Sequence, residues 1–238
     1  MEKNNYQGAL QQPIGSGFNA ESTAADIIKG IDLSGKIAVI TGGNTGIGQE
    51  TTKTLAQAGA TVIVPARDVE KAKRNLDGIA NVEIEPMDLM NPASIDAFAQ
   101  KFLDSGRPLH LLINNAGIMW VPLRHNSHGI ESQLATNYLA QFRLTAKLWP
   151  ALKQANGARV INVSSHGHSS EPSILMTPTF SIVHTKHYRR MVNLKRLVIC
   201  SRLNWTIGPK PSIYGHTACI RVPLRELNLE GKHPWNYL

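Results

Sequence analysis

Residues 36–48 read Lys-Ile-Ala-Val-Ile-Thr-Gly-Gly-Asn-Thr-Gly-Ile-Gly, a short β-rich run followed directly by a glycine-rich loop. The next stretch is amphipathic, and Gly59 is placed to end it as a helix. Its apolar positions are expected on one helix face: Ile47, Thr51, Leu55 and Ala58. Parallel neighbours in a sheet need a helical crossover between them, so this order of elements predicts an α/β fold.

The same alternation of strands and helices continues to about residue 163. Four further apolar runs are expected to be strands: residues 61–64, 82–84, 109–113 and 159–163. Helices are expected over three further segments: residues 71–76, 91–103 and 131–152. Asn91 and Pro92 form a typical N-cap and first helical residue. Because the strands are short and apolar on both faces, we predict a doubly wound, Rossmann-like parallel sheet covered on both sides.

Two parts of the chain differ in composition. The 238 residues are 42% apolar and 18% charged, which excludes collagen, a coiled coil and wholesale disorder. Residues 1–168 hold 15 Lys and Arg against 14 Asp and Glu, whereas residues 169–238 hold 10 against 3. We expect three regions: an N-terminal arm with a short helix capped by Ser22 or Thr23 (residues 1–32), a Rossmann-type domain (33–168) and a basic, atypical tail (169–238).

The composition also limits where in the cell the protein is expected and which partners it is expected to bind. No apolar run is long enough to span a membrane, and the N-terminus lacks the apolar part of a secretory signal. Two cysteines, Cys200 and Cys219, are too few for a disulfide framework or a zinc site. We therefore expect a cytoplasmic protein without a metal or a membrane partner. The tail's aromatic residues are too sparse to stack bases, so no nucleic-acid partner is expected.

The glycine loop is placed to bind a dinucleotide. Without Cβ atoms the backbone can turn tightly and approach phosphates, and the amides and dipole at the helix start attract negative charge. The alternative is that these glycines only form a turn, but the strand–loop–helix context favours phosphate binding. The predicted cofactor-binding residues here are Gly42, Asn44, Thr45, Gly46, Ile47 and Gly48.

Four ordered motifs in residues 33–168 resemble the short-chain dehydrogenase/reductase family. They are Thr41 to Gly48 (Thr-Gly-x-x-x-Gly-Ile-Gly), Asp88-Leu89, Asn114-Asn115-Ala116-Gly117, and Ser164-Ser165 after the fifth strand. Within the family, the glycine loop, residues 65–68 and residues 162–168 look most like the retinol-dehydrogenase-like subgroup. The resemblance implies hydride transfer between a nicotinamide cofactor and a small alcohol or carbonyl substrate. It also implies cofactor contacts from Asp88, Leu89, Asn115, Ala116 and Gly117.

Arg67 bears on which nicotinamide cofactor binds. It stands 19 residues after Gly48, at the end of the second predicted strand, where an acidic residue would bind the ribose 2′-hydroxyl of NAD. The planar fork of an arginine matches a 2′-phosphate instead. The alternative is a solvated arginine at the sheet edge. We predict NADP rather than NAD, with Asp68 directed away from the pocket.

The resemblance implies two catalytic residues in this chain, Asn137 and Ser165. Asn137 resembles the helix asparagine that holds a catalytic water, and Ser165 resembles the catalytic member of the serine pair. The family's Tyr-x-x-x-Lys pair, which supplies the proton, is absent, because no tyrosine has a lysine four residues later. We expect little or no turnover. The alternatives are a non-catalytic dinucleotide-binding module with a basic partner-binding tail, and a product that does not fold stably.

A shifted reading frame explains the composition of the tail. When the third base of each codon is joined to the first two of the next, residues 190–195 permit Tyr-Gly-Gln-Ser-Lys, the absent motif. We hypothesise a frameshift between His168 and about Ser173, which predicts that residues 169–238 are off-frame and poorly ordered. The family resemblance implies a homo-oligomer paired through residues 131–152 and a following helix, and we expect that following helix to be missing here.

Overall fold

Five parallel strands form one sheet in the computed structural model, which describes residues 15–164. The strands are β1 (Ile37–Thr41), β2 (Thr61–Ala66), β3 (Val82–Pro86), β4 (Leu111–Asn114) and β5 (Arg159–Asn162). Their order is β3-β2-β1-β4-β5, so the direction of winding reverses between β1 and β4. The predicted doubly wound sheet is confirmed. The predicted boundary after residue 168 and the basic tail lie outside the described residues.

Helices connect the strands and cover both faces of the sheet. They are α1 (Ala24–Ile28), α2 (Gly46–Gln57), α3 (Val69–Asn75), α4 (Pro92–Asp104), α5 (Ser132–Leu134), a π-helical segment (Ala135–Leu139), α6 (Ala140–Lys147) and α7 (Trp149–Gln154). In the described part of the chain, no helix is long and apolar enough to cross a bilayer.

Local capping signals in the sequence are confirmed at two helix starts. The hydroxyl of Thr23 accepts the amide of Asp26, and the Asp26 carboxylate accepts the amide of Thr23 at 2.9 Å, which is a capping box for α1. Asn91 caps α4 by accepting the amide of Ala93 at 3.0 Å, and Pro92 is the first helical residue. Residues close in sequence make these contacts, which is why the sequence predicts them.

The helical pattern predicted over residues 131–152 is confirmed, but it is interrupted at two places and does not form one continuous α-helix. The amide of Ala140 donates to the carbonyl of Ala135, five residues earlier, which defines the π-helical segment. A second break falls at Leu148, between α6 and α7. Pro150, in the first turn of α7, has no amide hydrogen to continue the ladder of α6.

Alternate residues of β1 pack into two different cores. Val39 packs on one side of the sheet against α4, α6 and α7 through residues such as Phe98 and Leu144. Ala38 and Ile40 pack on the other side in a cluster that includes Ala56 of α2. This alternation is the period of a strand covered on both faces.

The expected apolar face of α2 is wrong. Ile47 is 74% exposed, whereas Gly48, Thr52 and Ala56, spaced by four residues, are buried. The start of α2 lies too close to the loop after β1 for a larger residue at Gly48, and the hydroxyl of Thr52 donates to the carbonyl of Gly43 at 2.9 Å. Ile47 therefore projects from the carboxyl edge of the sheet instead of into the core.

Candidate functional site

The carboxyl ends of the strands bring the predicted site residues to one edge. Thr41 is paired with Asn114 in the sheet, and Asn114 with Asn162, so the loops that follow β1, β4 and β5 begin side by side. Ala66 is likewise paired with Pro86 at the ends of β2 and β3. In an open parallel sheet, ligands bind at this edge where the winding reverses, which is between β1 and β4 here.

Two glycines let the β1–α2 loop pack against the chain after β4. Gly42 has φ of +66°, and a Cβ there would lie 3.0 Å from the Cα of Ala116. A Cβ at Gly48 would overlap the carbonyl oxygen of Gly42 and lie 2.5 Å from Nδ2 of Asn115. The close approach of the backbone therefore requires glycine at both positions.

Gly46 has a different reason to be glycine. Its φ is +54°, which favours glycine, yet nothing lies within 4 Å of where a Cβ would stand. Thr45, the N-cap of α2, makes no side-chain capping bond, and the first turn of α2 holds no acidic residue. The first amides of a helix have no intrahelical partner, so the start of α2 can accept an anion.

Thr41 joins the glycine loop to the chain after β4. Its hydroxyl oxygen accepts the amides of Asn115 and Ala116, each at 3.0 Å. The side-chain amide of Asn115 donates back to the carbonyls of Thr41 at 3.1 Å and Gly42 at 3.3 Å. Two of the residues predicted to contact a cofactor, Asn115 and Ala116, are therefore held against the glycine loop. Gly117, the third, is exposed beside them.

Asn137 is buried in the π-helical segment and binds the main chain of Ile118. Its Oδ1 accepts the Ile118 amide at 2.8 Å, and its Nδ2 donates to the Ile118 carbonyl at 2.9 Å. Each polar end of the side chain is thus engaged with the loop after β4. A catalytic role for Asn137 stays a prediction. Ser165, the other predicted catalytic residue, lies outside the described residues.

Arg67 and Asp68 follow β2 and have different surroundings. Asp68 caps α3 by accepting the amide of Lys71 at 2.9 Å. Arg67 is exposed and makes no hydrogen bond or ion pair with another residue of the described range 15–164. Its guanidinium group is therefore available to a ligand at this edge.

Asp88 and Leu89 form a turn after β3. The Asp88 carboxylate accepts the amide of Met90 at 2.9 Å, and the Asp88 amide donates to the hydroxyl of Ser94 at 3.0 Å. Leu89 is half-buried against the core that contains Val39. The turn is thus fixed to the start of α4, with Asp88 at the same edge as Arg67.

The sequence did not reveal a buried polar network between β4, β5 and α6. Nδ2 of Asn114 donates to Oδ1 of Asn162 at 2.8 Å and to the hydroxyl of Thr145 at 3.1 Å. Nε2 of Gln141 donates to the carbonyl of Ala116 at 3.2 Å. Three buried atoms at this edge have no hydrogen-bond partner among residues 15–164: Asn114 Oδ1, Asn162 Nδ2 and Ser164 Oγ. No sequence motif predicts these contacts, because they join residues that are far apart in the chain.

An ion pair supports the helix that carries this network. The guanidinium of Arg143 in α6 binds both carboxylate oxygens of Asp96 in α4, at 2.7 and 2.6 Å. Hydrogen bonding from Arg143 lowers the pKa of Asp96, although burial opposes the shift. Within residues 15–164, no three His, Cys, Asp or Glu side chains are grouped to hold a metal.

Comparison with known proteins gives one family. The family model for short chain dehydrogenases matches residues 36–177. Retinol dehydrogenase 11 of Mus musculus is 43% identical over 144 residues, which are 58% of this chain and 46% of that protein. The chain spans about half the length of the curated relatives it matches.

Two solved structures share the fold. The crystal structure of an uncharacterized protein from Mycobacterium paratuberculosis has a TM-score of 0.67 and 35% identity, covering 76% of this chain and 65% of that one. The complex of Pseudomonas aeruginosa RhlG with NADP has a TM-score of 0.56 and 29% identity, covering 70% of this chain and 64% of that one.

Proposed function

The chain belongs to the short-chain dehydrogenase family and is retinol-dehydrogenase-like, and we propose that it binds a nicotinamide dinucleotide at the carboxyl edge of its sheet. The loop between β1 and α2 would hold the pyrophosphate. Arg67, Asp88 and residues 115–117 would hold the adenosine and ribose parts. The bound cofactor would supply a hydride to a carbonyl substrate in its reduced form, or accept one from an alcohol substrate in its oxidised form.

The observation that carries this proposal is the open start of α2. Thr45 leaves the helix uncapped, and a Cβ at Gly46 would face empty space, whereas Gly42 and Gly48 are closely packed. The first turn of α2 also holds no acidic side chain that would repel an anion bound at these amides. Pyrophosphate supplies the negative charge and the acceptor oxygens that such a helix start attracts.

We favour NADP over NAD because of Arg67. Its guanidinium is exposed directly after β2 and has no acidic partner in the described part of the chain. Asp68, the nearby carboxylate, is engaged as the cap of α3. An arginine at this position matches a 2′-phosphate with charge-assisted hydrogen bonds. The NADP complex of the similar RhlG protein supports the same choice.

An apolar substrate is consistent with the surface beside this edge. Four large apolar side chains are exposed at the start of α2 and in the chain after β4: Ile47, Met119, Trp120 and Leu123. Retinol dehydrogenase 11, a relative at 43% identity, is named for an apolar alcohol. We therefore propose an apolar alcohol or aldehyde as the substrate class.

We propose that turnover is low in this chain, because the sequence lacks the family's Tyr-x-x-x-Lys pair. Without that acid, the carbonyl oxygen has no residue of this kind to protonate it as the hydride arrives. This absence favours a second candidate function, a dinucleotide-binding module without catalysis. Purified protein given NADPH and retinaldehyde should oxidise NADPH no faster than the same mixture without protein. Rapid oxidation would show that another residue supplies the proton.

Calorimetric titration tests the cofactor proposal. The protein should bind NADPH more tightly than NADH, and Arg67→Ala should weaken NADPH binding about 10- to 100-fold while leaving NADH binding unchanged. Arg159→Ala is the matched control, because Arg159 is an exposed arginine at the opposite, amino end of β5. If Arg67→Ala and Arg159→Ala lost NADPH affinity equally, Arg67 would not be a residue of the binding site. Absence of binding to either nucleotide would refute the proposed function.

A further inference from the structure

The last residue of α3 binds the glycine loop directly. Nδ2 of Asn75 donates to the main-chain carbonyl of Asn44 at 2.9 Å. Nε2 of Gln49, in the first turns of α2, donates to the main-chain carbonyl of Asn75 at 2.6 Å. These two bonds join the loop, α2 and α3 into one closed set of contacts, and all three residues are half-buried.

α3 has contacts of its own besides the hydrogen bond of the Asn75 side chain. The helix packs through Ala72 and Leu76, which are both buried, and its N-terminus is capped by Asp68. The side-chain amide of Asn75 instead leaves the helix and bonds to a residue 31 positions earlier. Its effect is therefore on the position of the loop.

The bond acts at the point where the loop needs support. The carbonyl of Asn44 precedes Thr45 by one peptide unit, and Thr45 has no side-chain cap to fix it. Gly46 follows with φ of +54° and open space around it, so its own packing restrains it little. Fixing the loop before a ligand arrives reduces the entropy lost on binding.

The same helix also connects two parts of the proposed cofactor site. Arg67 and Asp68 immediately precede α3, and Asn75 ends it. A rigid α3 therefore sets the distance between Arg67, which follows β2, and the glycine loop at the start of α2.

We propose that Asn75 is a positioning residue for the dinucleotide, which it would not touch: it holds the Asn44 carbonyl so that the amides of residues 46–48 are arranged for pyrophosphate before binding. This inference rests on the proposed function. Both NADPH and NADH carry the pyrophosphate, so Asn75 acts on both nucleotides, in contrast to Arg67.

Titration of the full chain with NADPH and NADH tests the inference. Asn75→Ala should raise the Kd of both nucleotides by the same factor, about 3- to 10-fold, which is the effect expected for one hydrogen bond. Asn75→Asp keeps the shape but places an acceptor opposite the Asn44 carbonyl, so it should raise both Kd values at least as much. Gln49→Ala should give a smaller rise, and combined with Asn75→Ala it should add little, because the two residues share one network.

Leu103→Ala is the control for a merely structural effect. It removes a half-buried apolar side chain from the last turn of α4, which lies towards the amino edge of the sheet and away from the proposed site, so it should lower the melting temperature and leave both Kd values unchanged. If both variants raised Kd in proportion to lost stability, the inference would be wrong. It would also be wrong if Asn75→Ala changed neither Kd or only that of NADPH. If Asn75→Ala did not fold, the titration of Asn75→Asp would decide. Failure of the unaltered protein to bind either nucleotide would instead refute the proposed function.

Discussion

The hydroxyl oxygen of Thr41 accepts the main-chain amide of Asn115, while the side chain of Asn115 donates to the carbonyl of Thr41. The ends of β1 and β4 are thereby fixed to each other on both sides of the point where the sheet reverses its winding. Thr41 is completely buried, so water cannot replace these bonds. The geometry of the candidate site therefore depends on a threonine hydroxyl that need not touch a ligand.

Thr41→Val tests this dependence. The variant keeps the shape of the side chain but leaves the amides of Asn115 and Ala116 without their acceptor. We expect the free energy of unfolding to fall by about 2 to 4 kcal/mol, measured by urea denaturation. Thr51→Val is the control, because among the described residues the Thr51 hydroxyl bonds only to the Ile47 carbonyl within α2. The expected change is below about 0.5 kcal/mol. Equal losses would contradict the role given to Thr41.

Gly46→Ala separates backbone strain from ligand binding. Both Gly46 and Gly78 have positive φ and open space where a Cβ would stand. Alanine at either position should therefore cost about 1 to 2 kcal/mol of stability. Only Gly46→Ala places a methyl group at the proposed pyrophosphate site, so only this variant should lose NADPH affinity in a titration. Equal NADPH binding by the two variants would place the pyrophosphate elsewhere.

His110 makes the stability of the sheet depend on pH. Its Nδ1 accepts the main-chain amide of Ile37 at 3.1 Å, which requires an unprotonated nitrogen. Burial, and secondarily the charge of Lys36, lower the pKa of His110 below its ordinary value of 6.5. The unfolded chain therefore binds a proton more readily than the folded one. The contribution of His110 is complete above about pH 6.5 and is lost as the pH falls below that value.

Urea denaturation between pH 5 and pH 8 checks the effect of His110. The free energy of unfolding should decrease towards pH 5, and His110→Gln should flatten that dependence because its amide does not titrate in this range. An unchanged pH dependence in His110→Gln would assign the effect to other groups.

The nucleotide sequence across codons 165–225 tests the account of the basic tail. We predict that the shifted frame spells Tyr-Gly-Gln-Ser-Lys at codons 190–195, which the code permits but does not require. Met191 and Val192 fix the glycine, so the informative positions are the third bases of the other codons. Codons that cannot spell this motif would end the frameshift hypothesis.

The sequence predicts the parts of this protein that depend on local chemistry. Thr23 and Asn91 cap helices by accepting amides two or three positions later in the chain. The positive φ of Gly46 is likewise a local property, because glycine adopts this conformation readily. Long-range contacts escaped prediction, because nothing near Asn75 in the chain indicates that it meets Asn44. The π-helical segment escaped because a five-residue hydrogen bond carries no distinctive side-chain pattern.

The predicted core position of Ile47 was wrong for a different reason. Its apolar side chain and helical spacing indicated a core position, but the buried face of α2 is formed by Gly48, Thr52 and Ala56. Apolar character alone therefore misplaced a residue that lies next to the candidate ligand site.

Amide chemical shifts of the unaltered protein, recorded with and without saturating NADPH, test the central claim most directly. Dinucleotide binding at the start of α2 predicts that the largest shift changes and the strongest protection from hydrogen exchange occur at the amides of Gly46, Ile47 and Gly48. Amides at the amino edge of the sheet, such as that of His110, should change little. Unchanged shifts at residues 46–48 in a saturated sample would contradict the account.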